Sequence, residues 1–151
     1  ITSKTRIVLI NSPNNPSGVV YSSAILQQLA EIIREKEAEF GTEIFLVSDE
    51  PYRKIVFDGK EYPHIFQFHS RSIVATSHSK DLALPGERIG FVAVNPLCSD
   101  ANEIMDGLTF CNRTLGFVNA PALMQHVVTH LQDITIDIAD YQKKRDFLLL
   151  V

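Results

Sequence analysis

The sequence predicts an α/β fold: a mostly parallel sheet with one antiparallel strand, followed by a helical C-terminal part. Short apolar runs recur at residues 6–10, 44–48, 72–77 and 88–94. Runs of that length without polar alternation suit strands buried on both faces, as in a parallel sheet. A longer segment of helical spacing separates the first two runs. The connection 78–87 is shorter than the roughly twelve residues that a crossover between parallel strands needs, so the fourth strand should run antiparallel.

The elements follow in order. "RIVLI" (6–10) is the first strand, and "NSPNNPSG" (11–18) is dense in turn formers. "YSSAILQQLAEIIREKEAEF" (21–40) reads as a helix with Ile25, Leu26, Leu29, Ile32 and Ile33 in one stripe. Ser22 or Ser23 can cap its start and Gly41 can stop it. "EIFLVSDE" (43–50) supplies the second strand, and a mixed segment fills 50–70. "SIVATS" (72–77) and "RIGFVAV" (88–94) are the third and fourth strands, the last closed by Asn95-Pro96. Helical stripes follow near 98–112, 120–131 and 134–150. Asn119 is the expected cap of the middle one, with Pro121 in its first turn, where a missing N–H is harmless.

At 151 residues the chain has the size of one ordinary domain, and 45% hydrophobic with 21% charged residues is a globular composition. A net charge of −4 provides no basic face for nucleic acid, and no apolar run reaches the roughly 20 residues of a membrane span. Cys98 and Cys111 form no CxxC and no metal-ligand spacing, so they read as free thiols in a reducing compartment, the cytoplasm, and no metal site is expected. The N-terminal run "ITSKTRIVLI" is too short for a signal peptide. The chain opens almost directly on a strand, without methionine, and ends inside "DFLLLV". We expect a piece of a longer protein.

Three motifs lie at the carboxyl ends of three successive predicted strands, the edge where open α/β sheets bind ligands. In "NSPNNPSG", Asn14 and Asn15 offer amides held between Pro13 and Pro16. In "VSDEPY", Asp49 ends an apolar strand and Tyr52 follows. A carboxylate there is costly unless it meets a cation or several donors. Alone, each also reads as a plain turn. In "TSHSKDLALPGERIG", Ser77 and Ser79 flank the approach to Lys80, and Arg88 follows. Hydroxyls can donate to an anion, and a guanidinium can fork onto phosphate oxygens. A lysine beside a phosphate site, one strand from a carboxylate, suits an aldehyde cofactor bound as a Schiff base. The other lysines, Lys36, Lys54, Lys60, Lys143 and Lys144 among them, read as solvated, and His78 as an exposed loop residue.

Taken together, "NSPNNPSG … SDEPY … SHSK … GERIG" resembles the class I/II aminotransferases, fold-type-I pyridoxal 5′-phosphate enzymes, over essentially the whole chain. The resemblance implies a partial three-layer large domain over residues 1–151, ending in the helix that leads to a small domain. It implies pyridoxal 5′-phosphate as cofactor, amino acid and 2-oxo acid substrates, and a homodimer. Lys80 matches the lysine that forms the internal aldimine and then carries the proton between Cα and C4′. Asp49 matches the carboxylate on the pyridine nitrogen. Tyr52 and Asn15 match the residues on the ring oxygen. Ser77 and Arg88 match phosphate ligands, with Ser79 assisting.

The departures are modest. Ser12 and Ser17 stand where the family often has asparagine and threonine, and Glu87 where many members have an aromatic. The upstream phosphate turn, the upstream stacking aromatic and the downstream carboxylate-binding arginine cannot be placed, so the isolated fragment is expected to be inactive. The shared residues do not separate a transaminase from a lyase, decarboxylase or synthase of the same fold. A non-catalytic sensor domain of a transcription regulator is the rival of a different class.

Overall fold

The computed structural model describes residues 1–150. Strands β1 (Ile7–Asn11), β2 (Phe45–Asp49), β3 (Ser72–Ser77) and β4 (Gly90–Val94) form one sheet in that order. The first three are parallel and β4 is antiparallel to β3, as the short 78–87 connection requires. That connection folds as one helical turn, α2 (His78–Asp81), and a 3₁₀ turn at Pro85–Glu87. The chain reverses there instead of crossing over. Arg88, expected to open the fourth strand, sits before it in the left-handed region at φ 51°.

Helix α1 (Ser23–Phe40) links β1 to β2. The Ile25 N–H donates to Ser22 Oγ at 3.3 Å, and Gly41 ends the helix at φ 60°, where a side chain would be strained. Its buried line is Leu26, Ala30 and Ile33. Ile25 and Ile32 stay 49% and 47% exposed, so the stripe expected from spacing is wider than the sheet face it meets. The core joins Leu26, Ile33, Ile44, Leu46, Ile65 and Val74, with Val8, Ile10 and Leu29 packed against them. Burying each large member stabilises by about 1.5–3 kcal/mol.

The expected burial on both faces holds for the central strands β2 and β3, where only Asp49 is exposed, and fails at the edge strands β1 and β4. Val8 and Ile10 pack under α1, while Ile7 and Leu9 point the other way and are 59% and 67% exposed.

Three helices follow: α3 (Ala101–Thr114), α4 (Ala122–Thr129) and α5 (Ile138–Leu148). Asn119 does not cap α4. Pro121 holds the cap position, and its extended ψ of 127° keeps it outside the helix although its ring already supplies a helical φ. Helix α5 is tied back to the 50–60 segment. Arg145 forks onto Asp58 at 2.6 and 2.7 Å, and this guanidinium holds the Asp58 carboxyl below its usual range. No helix among the described residues is long and apolar enough to cross a membrane.

One glycine fixes where β4 can lie. Gly90 pairs with Ser77, and a Cβ on it would stand 2.2 Å from Thr76 O and 2.9 Å from Ser77 Cα. Glycine inside a strand marks such a close backbone approach. Gly90→Ala must push β4 away from the end of β3, so we expect a loss of roughly 1–3 kcal/mol. Urea unfolding of the wild type and the variant measures it, and equal midpoints would show that the strands can part without cost.

Candidate active site

The pleat sorts the residues at the end of β2. Asp49 pairs in register with Asn11 on one side and Ala75 on the other, and its side chain lies toward solvent. Ser48 and Glu50, one residue to either side, are completely buried. Burial first, and the Glu50 carboxylate beside it second, push the Tyr62 phenol well above its usual value. The chain therefore sends one carboxylate into the core and the next toward the carboxyl edge of the sheet.

The Pro/Asn turn closes over that edge. Its Ser12–Pro13 and Asn15–Pro16 peptide bonds are cis. Asn14 Oδ1 accepts from the Ser17 N–H and hydroxyl at 3.1 and 2.6 Å, which fastens the turn on itself. Asn11 joins it to the sheet. Asn11 Oδ1 accepts from the Asn15 N–H at 2.9 Å, while Asn11 Nδ2 donates to the Asp49 carbonyl at 3.0 Å and to its carboxylate at 3.3 Å. Asn11 was not singled out from sequence. Its signal is an asparagine that ends an apolar strand directly before a proline turn.

Asn15 Nδ2 donates to the Tyr52 hydroxyl at 3.2 Å, so the first and second motifs meet. The third reaches the same place: Lys80 Nζ lies 5.9 Å from the centroid of the Tyr52 ring. Asn15, Asp49, Tyr52 and Lys80 thus converge at the ends of β1, β2 and β3. A cleft of about 520 Å³ opens beside Asn15 and Tyr52 and runs to Phe57, Asp58 and Arg145.

Asp49 keeps solvent access, yet the surrounding turn excludes enough water to push its carboxyl above the usual value. Its side-chain donor is the neutral Asn11 amide. Ser77 stands at the start of α2 without capping it through its hydroxyl, and Ser79 lies half-buried one residue before Lys80. Arg88 is exposed, and its Nη1 donates to the Pro85 carbonyl at 3.0 Å. Its left-handed backbone is strain at a candidate site, where such strain tends to be retained.

His78 departs from expectation. It is buried at 4% exposure, with Nδ1 at 3.2 and 3.3 Å from the two oxygens of Asp81, itself 4% exposed. The two are three residues apart on one helical turn, so that turn is amphipathic: His78 and Asp81 face inward and Lys80 faces out. Among the described residues no group of three or more His, Cys, Asp or Glu is arranged to hold a metal ion.

The sequence pattern of the family Aminotransferase class I and II matches residues 1–149. A probable aspartate aminotransferase of Methanocaldococcus jannaschii is 41% identical, covering 98% of this chain and 39% of its own length. A crystal structure of an amino transferase from Eubacterium rectale is 43% identical with a TM-score of 0.95, covering 99% of this chain and 37% of its own. An N-succinyldiaminopimelate aminotransferase from Mycobacterium tuberculosis aligns at TM-score 0.79 and 29% identity, over 99% of this chain and 38% of its own. The chain therefore spans well under half the length of these relatives. The family match runs over almost all of its own residues, and the chain belongs to the class I and II aminotransferases.

Proposed function

We propose that residues 1–151 are part of the cofactor-binding large domain of a pyridoxal 5′-phosphate-dependent aminotransferase, ending in the helix that leads to a small domain. The full-length protein would move an amino group from an amino acid to a 2-oxo acid. The observation that carries this reading is the convergence of Asn15, Asp49, Tyr52 and Lys80 at one edge of the sheet.

The donor set fits the cofactor. A partly desolvated carboxylate served by one neutral amide is suited to a cationic ring N–H, and Asp49 is that group. The Asn15 amide and the Tyr52 phenol are already paired and would turn their remaining capacity to the ring oxygen. Ser77, Ser79 and Arg88 supply hydroxyl and guanidinium donors for a phosphate. When bound, pyridoxal phosphate supplies an electron-accepting ring that stabilises negative charge at the substrate α-carbon. Asp49 would hold the proton on the ring nitrogen. Lys80 Nζ would hold the cofactor covalently and would serve as the base that moves the proton at the substrate α-carbon.

The reading extends to a cytoplasmic homodimer. Its supports are Cys98 and Cys111, both free, and exposed apolar side chains such as Phe110, Leu115 and Phe117 that need cover.

Borohydride reduction of the full-length protein followed by peptide mapping tests the assignment. A pyridoxyl label on Lys80 is expected, and label on another lysine with Lys80 unmodified overturns it. The isolated 151 residues should bind the cofactor weakly and show no amino transfer, since rate depends on positioning groups contributed by the remainder of the protein. Absorbance titration followed by addition of an amino acid and a 2-oxo acid checks this, and sustained turnover would show a complete site.

A further inference from the structure

The lysine-bearing turn α2 is short, and its N-cap makes no side-chain bond. One turn of helix is unstable by itself, so its rigidity must come from elsewhere. The structure assigns that task to a clamp formed by the buried pair His78 and Asp81 with the half-buried Lys54. This inference rests on the role proposed for Lys80 and adds positioning residues behind it.

Asp81 is the hub. Its carboxylate accepts from His78 Nδ1 at 3.2 Å and lies 3.8 Å from Lys54 Nζ. A carboxylate only accepts, so His78 Nδ1 carries the hydrogen. Asp81's carbonyl accepts the Ile136 N–H at 2.9 Å and the Thr135 hydroxyl at 3.1 Å. Lys54 Nζ also donates to the Gln132 carbonyl at 2.9 Å and the Ile134 carbonyl at 3.4 Å. The His78 N–H meets the Ile89 carbonyl at 3.0 Å, and its ring lies 6.1 Å from the Phe91 ring, over which Arg53 sits.

Three segments therefore meet at Asp81: the turn after Tyr52 through Lys54 at its carboxylate, the turn holding Lys80 through His78, and the stretch 132–136 before α5 at its backbone carbonyl. His78 and Asp81 are sealed inward, which leaves Lys80 on the open face of the same turn. The buried pair is a poor source of net stability but a strong determinant of geometry, because removing one partner leaves the other unpaired. The clamp fixes where the Lys80 stem leaves the backbone, and a displacement there of even an ångström is costly to chemistry.

The test compares His78→Phe, which fills the space without a donor, with His78→Asn, whose Nδ2 can take the place of Nδ1. Both are made in the full-length protein. In the cofactor-free protein, hydrogen exchange at Asp81–Leu84 and Ile136 should speed up in His78→Phe and return toward wild type in His78→Asn. In the cofactor-loaded protein, the titration midpoint of the lysine-bound absorbance band should move by about half a pH unit or more in His78→Phe. Its single-turnover rate with an amino acid should fall by about tenfold or more, and His78→Asn should recover both. Wild-type exchange and titration in His78→Phe, or no recovery in His78→Asn, overturns the clamp. If His78→Phe does not fold, Asp81→Asn decides on the same exchange readout: faster exchange supports the clamp and unchanged exchange overturns it. If wild-type protein carries its label on a lysine other than Lys80, the functional reading fails, while the cofactor-free exchange still judges the clamp.

Discussion

On the proposed function, replacing Lys80 with alanine in the full-length protein should abolish covalent retention of pyridoxal phosphate and lower amino transfer by at least about 10⁴-fold. Two proposed roles would be lost in one side chain: the amine that holds the cofactor and the base that moves the α-carbon proton. The fold should survive. Lys80 is exposed, and its ring contact with Tyr52 at 5.9 Å is weak, whereas the inward face of its turn is held by His78 and Asp81. Intact mass after borohydride reduction and a stopped-flow half-reaction measure the two losses separately. Retained covalent label, or a rate within tenfold of wild type, would move the reactive amine to another lysine.

Asp49→Asn carries the second largest effect, and it acts in opposite directions on activity and stability. On the proposed function, amino transfer should fall by about 10³-fold or more, because the asparagine side chain would lack the charge with which Asp49 would hold the proton on the cofactor's ring nitrogen. Stability of the cofactor-free protein should rise. Desolvation places the folded Asp49 carboxyl above its unfolded value, so the folded state holds the proton more tightly. The ionised side chain therefore costs stability above the unfolded value, and the cost disappears in acid. Melting of wild type and variant should differ in the variant's favour near neutral pH and converge as the pH falls through the carboxylate range. A stabilisation that persists unchanged in acid would mean that the charge is not its source. Turnover within a few-fold of wild type would make Asp49 a structural residue.

The legible part of the site was its residue types in order. A carboxylate after an apolar run, a lysine directly after two closely spaced serines and an arginine beyond a proline turn are signals that local chemistry makes visible. Asn11 and His78 show the opposite case. Asn11 binds residues 4 and 38 positions away, and no local pattern separates such a partner from a turn asparagine. His78 in sequence stands in a polar loop, and only the approach of Lys54 and of residues 135–136 encloses its partner Asp81.

The sequence by itself determined the strand runs, the first helix with both its caps, and the antiparallel fourth strand. Each depends on spacing, on a capping hydroxyl, on a glycine or on the length of a connection, all of which act over a few residues. The tertiary structure alone decided which face of each strand is covered, which line of α1 is buried, where α4 begins and what holds the lysine turn. Those outcomes turn on surfaces brought together from distant parts of the chain. Ile7 and Val8 differ little as residues, and the pleat sends one toward α1 and the other away from it.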